Sequence, residues 1–126
     1  MPAPVLIEAL PPEWYIYTVS PGVDPGKRGI YEWKIEDAGS YIGQYSRIDR
    51  PTKAYGRNVT NLMNNKPYRP KKPDGFRRIH RELERAHRDG RLIELIILEN
   101  AEKPGINDRE RQLVAERGSL NDPPYG

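Results

Sequence analysis

Two tyrosine-containing triplets lie close together in the first half of the chain. Gly29-Ile30-Tyr31 and Tyr41-Ile42-Gly43 are near mirror images of each other, and their tyrosines are ten residues apart. A tyrosine hydroxyl donates and accepts hydrogen bonds, and it ionises at neutral pH only if nearby positive charge lowers its pKa from about 10. Either ring could also be an ordinary strand aromatic with its hydroxyl at the rim of a core. The repeated pattern is therefore more informative than either tyrosine alone.

A carboxylate occupies an inward position of the last predicted helix. Ile106, Glu110 and Leu113 fall on one face of that helix. An ionised carboxylate on a packing face is costly unless it is paired, hydrogen-bonded or bound to a cation. Two interpretations follow: Glu110 reaches back to a backbone amide in a capping box that opens at Asn107, or it binds a cation.

Positive charge is concentrated in one segment, although the net charge of the chain is only +3. Such a concentration attracts phosphate polyanions. Ion pairs on a solvated helix face, such as Arg78 with Glu82 and Glu84 with Arg88, are an equally good explanation. Ten of the 21 basic residues lie in this segment: Lys66, Arg69, Lys71, Lys72, Arg77, Arg78, Arg81, Arg85, Arg88 and Arg91.

Composition excludes several classes of protein. The chain has 126 residues, which usually make one domain, and it contains no cysteine, so disulfides and thiolate metal sites are excluded. Two histidines, His80 and His87, are too few for a histidine-based zinc centre and are expected to be structural or solvated. No long apolar run or signal peptide is recognisable. We therefore expect an intracellular, cytoplasmic chain in which oxygen atoms bind any metal.

Aromatic and β-branched residues predict strands over 13–19, 29–35 and 40–46. The short connection between the second and third strands predicts an antiparallel hairpin that carries both triplets. A continuous apolar run over 91–100 predicts a buried central strand.

Three helices are predicted between and after these strands. The first covers 50–65 with Pro51 in its first turn, and the second is capped by Asp74 and ends at Gly90. The third covers 106–118. The predicted fold class is α/β: a small, mainly antiparallel β-sheet flanked by three helices.

The order of these residues resembles the GIY-YIG nuclease family. Both triplets match literally, and an arginine, a tyrosine in a helix, a later helical glutamate and a closing Leu120-Asn121 follow in the family's order. The resemblance covers roughly residues 28–121. It leaves 1–27 as an N-terminal extension with one extra strand and 122–126 as a C-terminal tail. The resemblance implies a metal-dependent DNA endonuclease with tyrosine-assisted attack of water, Mg²⁺ or Mn²⁺ as cofactor, and no membrane partner.

The resemblance also implies roles for individual residues. Arg50 lies one residue earlier than the family usually places its phosphate-facing arginine, so Arg47 and Arg57 are alternatives for that role. The implied site comprises the paired tyrosines Tyr31 and Tyr41, the arginine Arg50, the helical Tyr55, the metal ligand Glu110 and the supporting Asn121.

Arginines on the predicted helices are the expected DNA contacts: Arg57, Arg77, Arg78, Arg81, Arg85 and Arg88. Two other functions remain open. The same fold with a weakened site would bind DNA without cutting it, and a protein-interaction domain with an ion-paired surface would do neither.

Overall fold

The computed structural model describes residues 8–121. Four strands form one sheet: β1 Ile16–Val19, β2 Gly29–Ile35, β3 Gly39–Tyr45 and β4 Ile93–Asn100. The helices are α1 Tyr55–Met63, α2 Arg78–Arg88 and α3 Lys103–Arg117, and a π-helical turn Arg50–Ala54 leads directly into α1. The chain is thus a small α/β protein with a mixed sheet and three helices, which confirms the predicted fold class in outline.

Strand β4 lies inside the sheet, as its apolar sequence predicted. The strand order is β1-β4-β2-β3, with β1 parallel to β4 and the two remaining pairs antiparallel. Strands β2 and β3 form the predicted hairpin, in which Tyr31 lies opposite Gly43 and Trp33 opposite Tyr41. Strand β3 is therefore an edge of the sheet, and it carries the second triplet.

The two faces of the sheet pack against different helices, because successive strand residues point to opposite sides. Tyr31 and Trp33 lie on the face covered by α1 and α2, in a core that includes Val59 and Leu83. Ile30 and Ile42 lie on the other face, where they pack against Ile106, Leu113 and Val114 of α3. Residues of the same triplet thus serve two separate cores.

The second helix begins later than predicted. Asp74 does not cap it: α2 starts at Arg78, with Arg77 in the N-cap position, and Phe76 precedes the helix. The reason is that residues 68–75 fold back on themselves in a hydrogen-bonded hairpin and are not available to a helix. The first helix differs as well, because its first turn, with buried Pro51, is π-helical.

The third helix begins earlier than predicted. It starts at Lys103, after Glu102 in the N-cap position, and Pro104 lies in its first turn, where the missing amide hydrogen costs little. Asn107 is consequently inside the helix and caps nothing. The prediction of Asn107 as the opening residue was wrong.

Strand β1 is the extra strand predicted for the N-terminal extension, and it belongs to the same sheet as the triplets. The predicted tail, 122–126, lies outside the described residues. Within residues 8–121, the helices are too short or too polar to cross a bilayer.

Candidate active site

Glycines in the two triplets make room for close packing. Opposite Tyr31, a Cβ atom at Gly43 would overlap the Cζ and hydroxyl oxygen of the Tyr31 ring. A Cβ atom at Gly29 would overlap the carbonyl oxygen of Glu99 on β4. Gly43 therefore lets the Tyr31 ring lie across β3 and reach the edge of the sheet, as a close-approach glycine does.

Three tyrosines and an arginine form one hydrogen-bonded group, which we call the tyrosine–arginine cluster: Tyr31, Tyr41, Tyr55 and Arg77. The hydroxyl oxygens of Tyr31 and Tyr55 are 2.5 Å apart. Arg77 donates from Nη1 to the Tyr41 hydroxyl at 2.8 Å and from Nη2 to the Tyr55 hydroxyl at 3.3 Å. Its guanidinium carbon also lies 5.7 Å and 5.9 Å from the ring centroids of Tyr41 and Tyr55. The three hydroxyls thus meet around one positive charge.

The tyrosines of the cluster are neutral at physiological pH. Burial, together with the neighbouring Tyr41, raises the pKa of Tyr31 despite the hydrogen bond to Tyr55 and the opposing charges of Arg50 and Arg77. Burial likewise raises the pKa of Tyr41 and of Tyr55. The hydroxyls therefore act as hydrogen-bond donors and acceptors, and a phenolate at Tyr31 is not favoured by the residues around it.

Arg77 was predicted only as a DNA contact, and sequence reasoning missed its place in the cluster. It lies immediately before α2, and its backbone turns the side chain toward the strands. No spacing rule relates it to the triplets, because the intervening hairpin of residues 68–75 sets its position. The predicted helix start at Asp74 placed Arg77 inside α2, so no signal in the sequence indicated its contact with the tyrosines.

Arg50 is the best placed of the three arginines proposed for the phosphate. It is exposed on the π-helical turn, and its charge lowers the pKa of both Tyr31 and Glu110, although burial outweighs it at each. Arg57 instead lines a groove beside Trp14 on the outer side of α1. Among the described residues, none of the three donates to a tyrosine of the cluster, and Arg50 is the one whose charge acts on Tyr31 and Glu110.

Glu110 is buried on α3, with 8% of its surface exposed. It is too far into the helix to reach the backbone amides at the start, so the capping-box interpretation was wrong. Its Oε2 accepts a 2.6 Å hydrogen bond from Nε2 of Gln44, and the same Nε2 donates to Oδ1 of Asn107 at 2.8 Å. Burial raises the pKa of Glu110 despite this hydrogen bond. Within residues 8–121, the carboxylate makes no salt bridge.

The donor set around Glu110 suits a hard cation. No group of three or more His, Cys, Asp or Glu side chains that would hold a metal occurs in the described part of the chain. Mg²⁺ nevertheless needs few protein ligands, because it keeps several waters and takes the others from substrate phosphate. Within residues 8–121 the Glu110 carboxylate makes no salt bridge, and with the side-chain oxygen of Asn107, which the same Gln44 amide contacts, it could supply oxygen ligands to such an ion. Asn107 and Gln44 were not predicted as site residues.

Glu110 and the tyrosine–arginine cluster lie on opposite faces of the sheet but near the same edge. Gln44, which holds Glu110, and Tyr41 are both on β3, and the charge of Glu110 contributes to raising the pKa of Tyr41. Because β3 is an edge strand, no other strand separates the two groups. A ligand at this edge could therefore contact both.

Asn121 holds the end of the described chain against β3. Its Oδ1 accepts from the backbone amide of Ile42, and its Nδ2 donates to the carbonyl oxygen of the same residue, both at 2.9 Å. This pairing fixes the middle of the second triplet beneath the site. The supporting role at the site that the resemblance implies for Asn121 stays a prediction.

The basic residues of α2 differ in their partners. Arg85 pairs with Glu82, and Arg88 pairs with Glu84 and Glu8. Of the two ion pairs considered from the sequence, the one between Glu84 and Arg88 is present. Glu82 pairs with Arg85 and not with Arg78. Within residues 8–121, Arg78 and Arg81 make no salt bridge.

His80 is a buried support of the cluster. Its surface is fully covered, and its Nδ1 accepts a 3.0 Å hydrogen bond from the backbone amide of Arg77. Its ring lies 5.4 Å from that of Tyr55 and 5.8 Å from that of Tyr68. Burial, with the charges of Arg77 and Arg81, lowers the pKa of His80 to about 4. The histidine is therefore neutral at pH 7 and fixes the backbone that carries Arg77.

We expect His80 to make the stability of the protein depend on pH. The folded-state pKa is below the unfolded value of 6.5, so the stabilisation is complete above pH 6.5 and is lost as the pH falls toward 4. The size of the shift corresponds to about 3 kcal/mol. Urea denaturation of the parent and of His80→Asn across this range measures it, because asparagine offers an acceptor but cannot be charged. Equal losses of stability in both proteins would contradict a neutral buried His80.

No protein-family model, curated protein or solved structure matches this chain.

Proposed function

We propose that this protein is a metal-dependent DNA endonuclease that hydrolyses phosphodiester bonds with a GIY-YIG-like site. One observation carries the proposal: the tyrosine–arginine cluster and the buried carboxylate of Glu110 lie at the same edge of the sheet. Phosphodiester hydrolysis requires positive charge near the non-bridging oxygens, hydrogen bonds that orient the attacking water, and a metal ligand. Residues able to meet each requirement are present at this edge.

The positive charges have different roles in the proposed site. Arg77 is already bonded to two tyrosine hydroxyls, so it holds the cluster together and adds a fixed positive field. Arg50 is exposed, and in residues 8–121 it makes no salt bridge, so it can bind a non-bridging phosphate oxygen directly. Arg50 thus binds substrate, and Arg77 organises the site through its bonds to the tyrosines.

The neutral tyrosines position the reacting groups by hydrogen bonding. Tyr31 is buried, so a water or phosphate oxygen would reach its hydroxyl only as substrate enters the site; when Tyr55 donates to Tyr31, the Tyr31 hydroxyl hydrogen is available to that oxygen. Glu110 would hold Mg²⁺ or Mn²⁺, which when bound neutralises phosphate charge and favours ionisation of a coordinated water. The phenol of Tyr31 then orients the water and is not itself the base. Tyr31 thus assists the attack of water as a neutral hydrogen-bonding group and not as a phenolate.

A DNA-binding module without cleavage is the second candidate. The observation that favours it is that the described residues contain no group of three or more His, Cys, Asp or Glu side chains to strengthen metal binding at Glu110. The same surface would then bind DNA and leave it intact. Incubating the purified protein with supercoiled plasmid separates the two, because only a nuclease relaxes the plasmid in Mg²⁺ or Mn²⁺ and ceases to do so in chelator.

Removing the Tyr31 hydroxyl should slow cleavage by ~10²-fold, because the ring and its packing remain while the hydrogen-bonding group is lost. Single-turnover nicking by Tyr31→Phe measures this effect. Tyr45→Phe is the matched control. Tyr45 lies on the same face of the sheet, and its buried hydroxyl has no hydrogen-bond partner among the described residues. Cleavage by Tyr31→Phe at the rate of the Tyr45→Phe control would assign Tyr31 to packing alone.

A further inference from the structure

The segment between α1 and α2 is an ordered hairpin that projects its basic residues. The backbone amide of Tyr68 donates to the carbonyl oxygen of Pro73, and Arg69 and Lys72 exchange backbone hydrogen bonds at 3.3 Å and 3.0 Å. Pro70 and Lys71 form the tip. Prolines on both sides of the turn restrict the unfolded alternatives, so little conformational entropy remains to be lost when this hairpin binds a partner.

The base of the hairpin is anchored to the candidate site. The Tyr68 ring packs 5.4 Å from the Phe76 ring and 5.8 Å from the His80 ring, measured between centroids. His80 in turn packs against Tyr55 of the tyrosine–arginine cluster. At Gly75, a Cβ atom would lie 2.7 Å from Cδ2 of Tyr68, so the glycine allows the ring to seat. The hairpin therefore has a fixed position relative to the cluster.

Positive charge is available on this hairpin and at the start of α2, but not at the end of α2. We use the name hairpin surface for Arg69, Lys71, Lys72, Arg78 and Arg81, which are exposed and make no salt bridge within residues 8–121. Arg81 also lines a groove with Pro67 and Pro73 at the hairpin base. The arginines at the end of α2, by contrast, are paired with carboxylates. Charges already paired add less to the attraction of a polyanion than free ones.

The hairpin surface offers cations, and the aromatic ring at the hairpin base is only partly exposed. This ring, Tyr68, has the Arg69 guanidinium 5.1 Å from its centroid and packs against Phe76 and His80, which leaves only part of it open to solvent. Proteins that bind single strands without sequence preference combine cations with exposed aromatic rings, whereas contacts to phosphates alone suit a duplex. The chemistry therefore favours the backbone of a double helix.

We propose that the hairpin of residues 68–75, together with the first turn of α2, binds the phosphate backbone of duplex DNA and holds the duplex beside the site. This rests on the part of the proposed function that makes DNA the partner of the site. In this proposal the main contacts to DNA phosphates are made by Lys71 and Lys72 and not by Arg85 and Arg88. Neither lysine is needed for the chemistry of the tyrosine–arginine cluster.

Two charge-matched double variants test the proposal. Lys71→Gln/Lys72→Gln removes two free cations of the hairpin, and Arg85→Gln/Arg88→Gln removes two paired cations of α2. Arg69 is kept, because its guanidinium covers Tyr68. Fluorescence anisotropy with a labelled duplex, in chelator so that nothing is cut, gives the dissociation constant over a range of salt concentrations. A single strand of the same length is the second ligand.

The hairpin variant should reduce the slope of the logarithm of the duplex binding constant against the logarithm of salt concentration by about two units. It should also weaken duplex binding ~10-fold or more at low salt. The α2 variant should change the slope by less than half as much. Equal losses in the two variants, no loss in the hairpin variant, or single-strand binding as tight as duplex binding would each overturn the proposal. Cleavage is measured separately on plasmid. If the protein binds duplex through the hairpin but does not cut plasmid, only the nuclease function is contradicted. If the protein cuts plasmid but the hairpin does not contribute to binding, only the proposed role of the hairpin surface is contradicted.

Discussion

Glu110→Gln should reduce metal-dependent cleavage by ~10³-fold or more while the protein stays folded and binds DNA. Glutamine has nearly the same shape, and its amide can still pair with Gln44 across the β3–α3 contact. It lacks the negative charge that a hard divalent cation requires. The loss therefore falls on the metal-assisted step and not on the architecture of the site.

The stability of this variant provides a second measurement. Burial raises the pKa of Glu110, so the ionised carboxylate makes the folded state less stable at neutral pH than a neutral group would. We expect the free energy of unfolding of Glu110→Gln to equal or exceed that of the parent. Glu116→Gln, at an exposed position of the same helix, is the control for cleavage and should cut at the parent rate. If Glu110→Gln also cuts at that rate, Glu110 does not hold the metal.

Arg77→Lys should lower the rate of the chemical step by ~10²-fold or more. Lysine keeps the positive charge, but its single ammonium group cannot reproduce the planar pair of donors that reaches the Tyr41 and Tyr55 hydroxyls. The hydroxyls would then lose their fixed orientation. Hydrogen-bond donors that are misplaced at a reacting centre slow the chemical step more than they weaken substrate binding. Single-turnover cleavage at saturating protein isolates this step.

Arg78→Lys is the matched control for Arg77→Lys, because the neighbouring arginine is exposed and has no salt bridge within residues 8–121. A lysine there still contacts a phosphate as a point charge, so cleavage and DNA affinity should change little. If both variants cut at the parent rate, the cluster needs only the charge of Arg77, and the paired N–H donors of its guanidinium have no part in catalysis.

The strands could be read from the sequence because local patterns specify them. The β2–β3 hairpin follows from a short glycine-containing connection between two aromatic runs, and the apolar run of β4 predicted a strand buried inside the sheet. The convergence of Tyr31 and Tyr55 also followed from the family resemblance, although no pattern gave the register that places Tyr31 over Gly43. Register depends on pairing between strands, which a single sequence does not display.

The helix starts were harder to predict because tertiary contacts set them. Asp74 is a good capping residue, but the hairpin of residues 68–75 is anchored by Tyr68 on His80 and delays the helix to Arg78. That delay is what brings Arg77 to the tyrosines. At α3, Pro104 allowed an earlier start, which put Asn107 inside the helix and turned Glu110 toward Gln44. At the starts of both α2 and α3, tertiary packing outweighed the helix preference of the local sequence.

The position of β4 in the chain has a consequence for protein synthesis. β4 pairs with both β1 and β2, yet it is translated after both of them and after α1 and α2. Until β4 leaves the ribosome, β1 lacks the neighbour that it has in the sheet, and the β2–β3 hairpin exposes apolar surface. Non-local strand pairing is slow, and such exposed strands tend to aggregate. Nascent chains whose β4 has not emerged from the ribosome should therefore bind chaperones and resist native folding, and chains extended by a linker that carries both β4 and α3 out of the ribosome should be released.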